Sequence, residues 1–548
     1  MLNVGTPPAT VKAKSPKRMI RERTDKLLVL LDRLDGDSLA AWFSVLRAHV
    51  VARDSDGRFS DVLADPRMVE PTLIDCEDIL AGTTVAEISV LYEFLLANQD
   101  MTSKRDKGQF FTPDDVARFM AAKALTFGPG TWLDPCCGVG NLTYWLIAAQ
   151  DEPERFLLDS CRFLDLDDVA LFTARVLMAI SFQENEESLF TRLEPNFRRG
   201  DFLADSLTEP PPFDHSYDFV LMNPPYVQTT DNSGRFASVD SRDLYAFFLE
   251  HAMVNSRGVV AITPQTLTNG ARHKALRRVI LDNADVCEIY CFDNVPDTIF
   301  RGFKHGSENS NHVNSTRAAV TVARKDSQQT KQQIRITPLV RWRATERAAM
   351  FREVDEMLAS PIGVEAALFP KIAPGLEDFY SELTTIPTTV GDLAIKGPSE
   401  YSLHVPTTPR YFISATERDL SRSSIATLYF QTDHDKRLAY LTLNSSIAYF
   451  WWRVRDGGMT LSRQSLLSVP LDETTSVTSA RSRTLIAALQ KSEIDNLVGK
   501  MNAGKNNENV KHPLALIQRV TEYLAPTYGD RLIRLHQSSS LAEPGHTN

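Results

Sequence analysis

The stretch TWLDPCCGVGNLTYWLIAA, residues 131–149, decides the fold. An apolar strand pattern ends on Asp134, glycines follow at Gly138 and Gly140, and an apolar-periodic helix opens near Asn141. Glycine allows a tight turn and close backbone approach, so a strand ending on an acid, followed by this turn and a helix start, forms a cradle for a small polar ligand. Taken alone, the stretch reads equally as an ordinary glycine turn closing a βα unit. The lysine and hydroxyl residue of a phosphate-binding loop are absent.

Working outward, short apolar runs alternate with helical patterns from about Lys107 to Lys325: TWLD, CRFLDLD, YDFVLMN, GVVAITP, CEIYCFD and AAVTVAR. Such alternation predicts βαβ units and a largely parallel, Rossmann-like α/β sheet over residues 107–330. Ligands of open α/β sheets lie beyond the carboxyl ends of the strands, so Asp134 and Asp165, in FLDLDD, both face the cradle. An acid there suits ribose hydroxyls. Residues 1–106 read as a helical region, with a basic arm, ATVKAKSPKRMIRERTDK, ahead of the helix-period segments LAAWFSVLRAHVV and VAEISVLYEFLLANQ. The polar KDSQQTKQQ at 325–333 reads as a linker. Beyond it TVGDLAIKG, RYFISA, IATLYFQ and RLAYLTLNSS predict a separate mixed α/β domain over 331–535, and 536–548 reads as a disordered tail. There is no internal repeat.

At 548 residues, the chain is long enough for two to four domains, and 43% hydrophobic with 24% charged residues reads as a globular protein. No apolar stretch approaches the roughly 18 residues of a membrane span, and the N-terminus lacks a signal-peptide core, which makes a cytoplasmic address the expectation. The six cysteines have no paired CxxC spacing, so neither a disulfide framework nor a metal site is expected. A net charge of -10 argues against indiscriminate nucleic-acid binding but leaves room for a local basic cleft.

A second stretch, DFVLMNPPYVQ at 218–228, builds a buried strand and ends it on Asn223-Pro224-Pro225-Tyr226. The Asn223 carboxamide oxygen and a proline carbonyl are neighbouring acceptors on backbone made rigid by two fixed φ angles, and two acceptors hold one NH₂ group. Tyr226 adds a flat face for a planar heterocycle. A proline-terminated strand with a packing tyrosine is the plain alternative, which the upstream cradle disfavours.

With these residues in order, the chain resembles the amino-methyltransferases that use S-adenosyl-L-methionine, specifically the DNA N6-adenine methyltransferases of restriction-modification systems. The resemblance covers about 200 residues. KGQFFTPDDVARFM is similar to the family's upstream cofactor motif, which implies Thr112 and Pro113 near the methionine end of the cofactor. LDPCCGVG, with Asp134, Pro135, Gly138 and Gly140, is similar to its glycine-containing motif, and Asp165 to the acid for the ribose hydroxyls. GDFL implies Asp201 as acceptor for the cofactor's adenine amine, with Phe202 packed on its ring. NPPY is the catalytic motif, residues 223–226, and Tyr226 and Phe300, in VPDTIFRGF, are implied contacts of the target base. DLYAFFLEHAM and GVVAITPQTL resemble the family as well. The motif order is that of the class with a C-terminal target-recognition domain. There LTLNSSIAYFWWRVRDGGMTLSRQSLLSVP resembles the end of such domains and makes Trp451, Trp452, Arg453 and Arg455 candidates for DNA contact, although aromatic clusters are more often core.

The chemistry then implied is methyl transfer to N6 of a flipped-out adenine in double-stranded DNA, without a metal. Adenine N6 is a weak nucleophile because its lone pair is delocalised. Acceptors for both its hydrogens favour a pyramidal nitrogen and stabilise developing positive charge. Open alternatives share the motif: cytosine-N4, RNA-guanine and protein-glutamine methyltransferases, or a methyltransferase or specificity subunit of a larger restriction complex. The long C-terminal region argues against the compact protein-modifying type, and cytosine-N4 enzymes more often carry serine at the position of Asn223. No nuclease pattern is evident in this chain. A restriction endonuclease or other defence-system subunit is a candidate partner, and a membrane is not.

Overall fold

The computed structural model describes residues 16–96, 112–204, 217–231, 234–300, 317–326, 331–360, 364, 367–409, 411–502 and 505–541. By packing, the chain divides into two units, Met1–Gln228 with Phe300–Asn314, and Thr229–Ile299 with Ser315–Asn548.

Among its described residues the first unit holds four strands, β1 (Trp132–Asp134), β2 (Cys161–Asp165), β3 (Phe197–Arg199) and β4 (Phe219–Met222), in the order β3-β2-β1-β4. These strands pair in parallel, with Trp132 opposite both Cys161 and Phe219, and Phe163 opposite Phe197. The Phe163 and Phe197 rings stack at 4.2 Å between centroids. Parallel neighbours need crossovers, which helices Asn141–Ala148, Pro153–Ser160 and Asp168–Phe182 supply. β3 lies outside the runs expected to be strands, because its three residues, FRR, are too short and polar to stand out.

The N-terminal region is helical as expected, with helices Pro16–Arg33, Ser38–Val51 and Val85–Leu96, but it does not pack as a separate body. Trp42, Leu46 and Leu91 share one apolar core with Val139, Phe172 and Val176. Two polar ties reinforce it: Trp42 Nε1 donates to Thr173 Oγ1 at 2.9 Å, and the Tyr92 hydroxyl donates to Asp167 Oδ2 at 2.8 Å. These helices cover the outer face of helix Asp168–Phe182, so the boundary expected at 106 does not separate two cores.

The second unit holds β5 (Gly258–Pro264), β6 (Val286–Phe292), β7 (Ala318–Arg324) and β8 (Gln333–Ile336), in the order β5-β7-β6-β8. One strand departs from the largely parallel expectation: β7 runs antiparallel to both β5 and β6, while β8 is parallel to β6. An apolar run such as AAVTVAR announces a strand buried on both faces and carries no signal for direction. The expected linker at 325–333 is also corrected at its end. Gln333 already pairs with Val286 in β8, so the boundary expected at 330 falls inside a sheet.

Farther along, β9 (Ala394–Ile395), β10 (Tyr401–Pro406) and β11 (Ile425–Phe430) form an antiparallel sheet, and β12 (Leu497–Asn502) pairs with β13 (Lys505–Val510). RLAYLTLNSS is mostly helix, within Asp433–Leu443, and RYFISA forms no strand among its described residues. Helices Asp433–Leu443, Ser446–Arg455, Ala480–Asp495 and Leu514–Leu524 pack with β10 and β11 around Tyr440, Tyr449 and Trp452. Trp451, Trp452 and Arg453 are therefore core residues, not exposed DNA contacts. Arg453 Nη2 donates to Asp293 Oδ2 at 2.8 Å, and Arg455 is half-buried against the Tyr380 hydroxyl. The expected tail begins too early as well. His536 hydrogen-bonds to Ser446 and to the Tyr411 carbonyl, and Ser540 exchanges two hydrogen bonds with the Arg341 backbone at 2.9 Å each. Residues 542–548 lie outside the described set.

All six cysteines are free thiols, four of them buried. No helix among the described residues is long and apolar enough to cross a membrane.

Candidate active site

The site is built where β1, β2 and β4 end. β1 delivers Asp134 into the interior, 1% exposed, where Oδ2 accepts from the Thr143 hydroxyl at 3.0 Å. Its Oδ1 is buried with no partner among the described residues, and Asn141 Oδ1 is in the same state. Burial pushes the Asp134 carboxyl up to about 7, with the Asp165 charge adding to the rise and bonds from Thr143 and the Cys136 backbone opposing it. Pro135 follows it, buried.

Gly138 and Gly140 both take positive φ, +53° and +89°, as a turn from strand into helix requires. A Cβ on Gly140 would come within 2.6 Å of Met178 Cε and 3.3 Å of Ala174 Cβ, and its φ of +89° is one that L side chains rarely adopt, so glycine suits this turn against helix Asp168–Phe182. A Cβ on Gly138 would meet nothing within 4 Å, which leaves the outer face of the turn open to a ligand.

β2 delivers Asp165 beside that turn. Its Oδ2 accepts from the Gly138 N–H at 2.8 Å and its Oδ1 from the Asp167 N–H at 3.0 Å. Burial raises its pKa and these backbone donors oppose the rise. Asp167 is engaged elsewhere, capping helix Asp168–Phe182 through the N–H groups of Val169 and Ala170 while accepting from Tyr92. Asp168 is exposed, 3.5 Å from Arg67. Of the three acids of LDLDD, then, Asp165 alone faces the cradle turn through its carboxylate.

β4 ends at Met222, and Asn223 follows it half-buried, its Nδ2 donating to Thr112 Oγ1 at 2.9 Å. Thr112 is itself buried, and its carbonyl accepts from Asn141 Nδ2 at 2.7 Å. Pro113 caps helix Asp114–Ala124. Thr112, Asn141 and Asn223 thus form one hydrogen-bonded chain between the cradle and the Asn-Pro-Pro-Tyr strand end. Pro224 is buried, and Pro225 and Tyr226 are half-buried. The Phe300 ring lies edge-on to Tyr226, 6.1 Å between centroids at 67°. Phe202 is buried, while Asp201 is exposed and accepts from the Leu203 N–H at 2.9 Å. Residues 107–111 of the upstream motif lie outside the described residues.

Sequence reasoning passed over Asn141, Thr143 and Tyr92. Asn141 and Thr143 carried a signal, being polar side chains on the first turn of the helix that leaves the cradle. Tyr92 carried none, because its link to Asp167 spans 75 positions.

The parallel strands, the glycine cradle and the Asn-Pro-Pro-Tyr strand end define the class of α/β amino-methyltransferase domains. Residues 86–309 match the family model described as N-6 DNA Methylase. The Type II methyltransferase M.VspI of Vibrio sp. (strain 343) is 26% identical over 214 residues, 37% of this chain and 47% of that one. The chain thus spans about half the length of this curated relative. Among solved structures, the DrdV-DNA complex is similar at a TM-score of 0.46 and 13% identity, covering 91% of this chain and 59% of that one. The type IIG restriction endonuclease BpuSI is similar at 0.39 and 12% identity, covering 93% and 79%.

Proposed function

We propose that the chain methylates N6 of adenine in duplex DNA at a specific sequence, as the modification enzyme of a restriction-modification or phage-defence system. The observation that carries this reading is the hydrogen-bonded chain from the cradle through Asn141 and Thr112 to Asn223, which joins a ligand site and an NH₂-binding strand end in one constellation.

The cradle fits S-adenosylmethionine on three counts: buried acceptors at Asp134 Oδ1 and Asn141 Oδ1 lack partners among the described residues, the outer face of Gly138 is open, and Asp165 stands beside it. Asp134, Pro135, Gly138 and Gly140 would hold the methionine end with Thr112 and Pro113, and Asp165 the ribose. Asp201 and Phe202 would hold the adenine. When bound, this cofactor supplies an electrophilic methyl group.

The remaining work belongs to the chain. The bond to Thr112 turns the Asn223 carboxamide so that its oxygen points away from that hydroxyl, the orientation needed to accept one N6 hydrogen while the Pro224 carbonyl accepts the other. Both acceptors are fixed before reaction, so they stabilise positive charge at nitrogen without reorganising. Tyr226 and Phe300 offer aromatic surface to an extruded base, which recovers part of the stacking lost on flipping.

The test is to incubate the purified chain with methyl-labelled S-adenosylmethionine and duplex DNA of diverse sequence, then to sequence the product with modification detection. N6-methyladenine within one recurring motif is the expected result. N4-methylcytosine would overturn the base assignment, and label appearing only in protein or RNA would overturn DNA as the substrate.

A further inference from the structure

The segment leaving β6, from Asp293 to Phe300, is held along its length by side chains from later in the chain. At its start the Asp293 carboxylate accepts from Arg317 Nε at 2.7 Å, Arg341 Nε at 2.9 Å and Arg453 Nη2 at 2.8 Å. Burial alone would push this carboxyl up, yet the guanidiniums of Arg453, Arg317 and Arg341 hold it well below the usual carboxylate range. Midway, Trp342 Nε1 donates to Asp297 Oδ2 at 3.0 Å. At the end stands Arg347, 4% exposed, whose Nη1 donates to the Thr298 carbonyl at 2.7 Å and Nη2 to the Ile299 carbonyl at 2.8 Å.

Two of the Arg347 hydrogen bonds thus go to successive peptide carbonyls, and Nη1 also lies 3.9 Å from Asp297 Oδ2. Burying a guanidinium is costly, and an apolar side chain would fill the same space more cheaply. What the planar fork provides is orientation: two donors at fixed spacing set two consecutive peptide planes. The second of those peptides contains the backbone nitrogen of Phe300.

We propose that Arg347 is a positioning residue, which sets the backbone ahead of Phe300 and through it the placement of the aromatic ring that meets the target base. The proposal rests on the functional reading above, in which Phe300 contacts an extruded adenine. It makes a residue outside the cofactor motifs a determinant of turnover without any contact to cofactor or substrate.

The test compares the full-length wild type with Arg347→Met, Arg347→Lys, Phe300→Ala and the double variant Arg347→Met/Phe300→Ala. Three readouts are taken: single-turnover methylation of target duplex, calorimetric titration with S-adenosylmethionine, and fluorescence of 2-aminopurine at the target adenine. Arg347→Met should slow methylation by about 10- to 100-fold, the scale of a small misplacement of reacting groups, and lower the 2-aminopurine signal, with cofactor affinity within about twofold of wild type. The double variant should be no slower than the slower single one, because both act through the same ring. Arg347→Lys, which keeps the charge and loses the fork, should recover only part of the rate. Wild-type rate in Arg347→Met, or losses that multiply in the double variant, would overturn the proposal. If Arg347→Met gives no cooperative melting transition, Arg347→Lys decides instead, since it keeps the buried charge and removes the two-armed fork. A slowed rate at unchanged cofactor affinity then supports the proposal, and an unchanged rate overturns it. A wild type that binds cofactor but methylates no adenine refutes the functional reading and this inference with it, whereas an active wild type with multiplying losses refutes this inference alone.

Discussion

Asn223 donates its side-chain N–H to the Thr112 hydroxyl at 2.9 Å across 111 positions of sequence, so the carboxamide proposed to be catalytic is oriented by a residue proposed to line the cofactor cradle. Asn223→Ala should lower turnover by about 10² to 10³, the range for losing one preorganised hydrogen-bonding group at a reacting centre, with cofactor affinity nearly intact. Thr112→Val keeps the backbone carbonyl that Asn141 uses and removes only the acceptor for Asn223. It should give a smaller loss of about tenfold in kcat, and the double variant should match Asn223→Ala. Steady-state kinetics beside calorimetry decide it: a Thr112→Val variant with full kcat would mean that Asn223 needs no such support.

The acids of LDLDD should separate cleanly by substitution. Asp165→Asn should weaken S-adenosylmethionine binding by about 1–3 kcal/mol, the scale of charged hydrogen bonds lost from a buried site. Asp167→Ala should instead cost about 0.5–2 kcal/mol of folding stability through loss of the helix cap, and Asp168→Ala should change neither. Calorimetric titration and thermal melting of the three variants distinguish these outcomes. Equal cofactor affinity in Asp165→Asn and wild type would remove Asp165 from the ribose site.

Asp134 should make cofactor binding pH-dependent near neutrality if it lines the proposed cofactor cradle. Burial, the largest cause, lifts its carboxyl to about 7 in the folded chain, above the ordinary value near 4. A raised folded pKa means that its stabilising contribution is full below about pH 4 and is lost as pH rises through about 7. A cation placed beside it reverses the preference and favours the carboxylate, so binding should expel a proton. Affinity for S-adenosylmethionine should therefore rise by up to about tenfold per pH unit below 7 and level off above it, and the dependence should vanish in Asp134→Asn. A flat profile in the wild type would mean that Asp134 does not face the cationic end of the ligand.

What was legible in the sequence was local. The six apolar runs became strands because hydrophobic continuity over a few residues is enough to specify burial, and the cradle and Asn-Pro-Pro-Tyr end were readable because each is contiguous. The direction of β7 was not readable, since apolar runs look the same either way along the chain. Neither were Trp452 and Arg453 as core residues: an aromatic-basic cluster reads the same whether it meets DNA or a buried Asp293, and 160 positions separate Arg453 from that partner. The same distance effect hid β8, whose polar QIRI sequence owes its place to pairing with β6 rather than to its own pattern. One design consequence follows: ending the chain near Lys331, as the expected linker would suggest, removes β8, Arg341 and Arg453 together and leaves the buried Asp293 with only Arg317 of its three guanidiniums.

Tyr226 supplies the last prediction. Half-buried at the strand end and edge-on to Phe300, it has a ring that a flipped base can stack on and a hydroxyl that stacking does not need. Base-aromatic stacking is worth about 1–3 kcal/mol per base, enough to shift the flipped population substantially. Tyr226→Phe should therefore keep most of the activity, and Tyr226→Ala should lose both 2-aminopurine fluorescence at the target position and methylation of the natural site, by a factor of about 5 to 150 on that energy scale. The two readouts assign the role between them. An alanine variant that flips and methylates like the wild type makes Tyr226 a packing residue, and a phenylalanine variant as inactive as alanine transfers the role from the ring face to the hydroxyl.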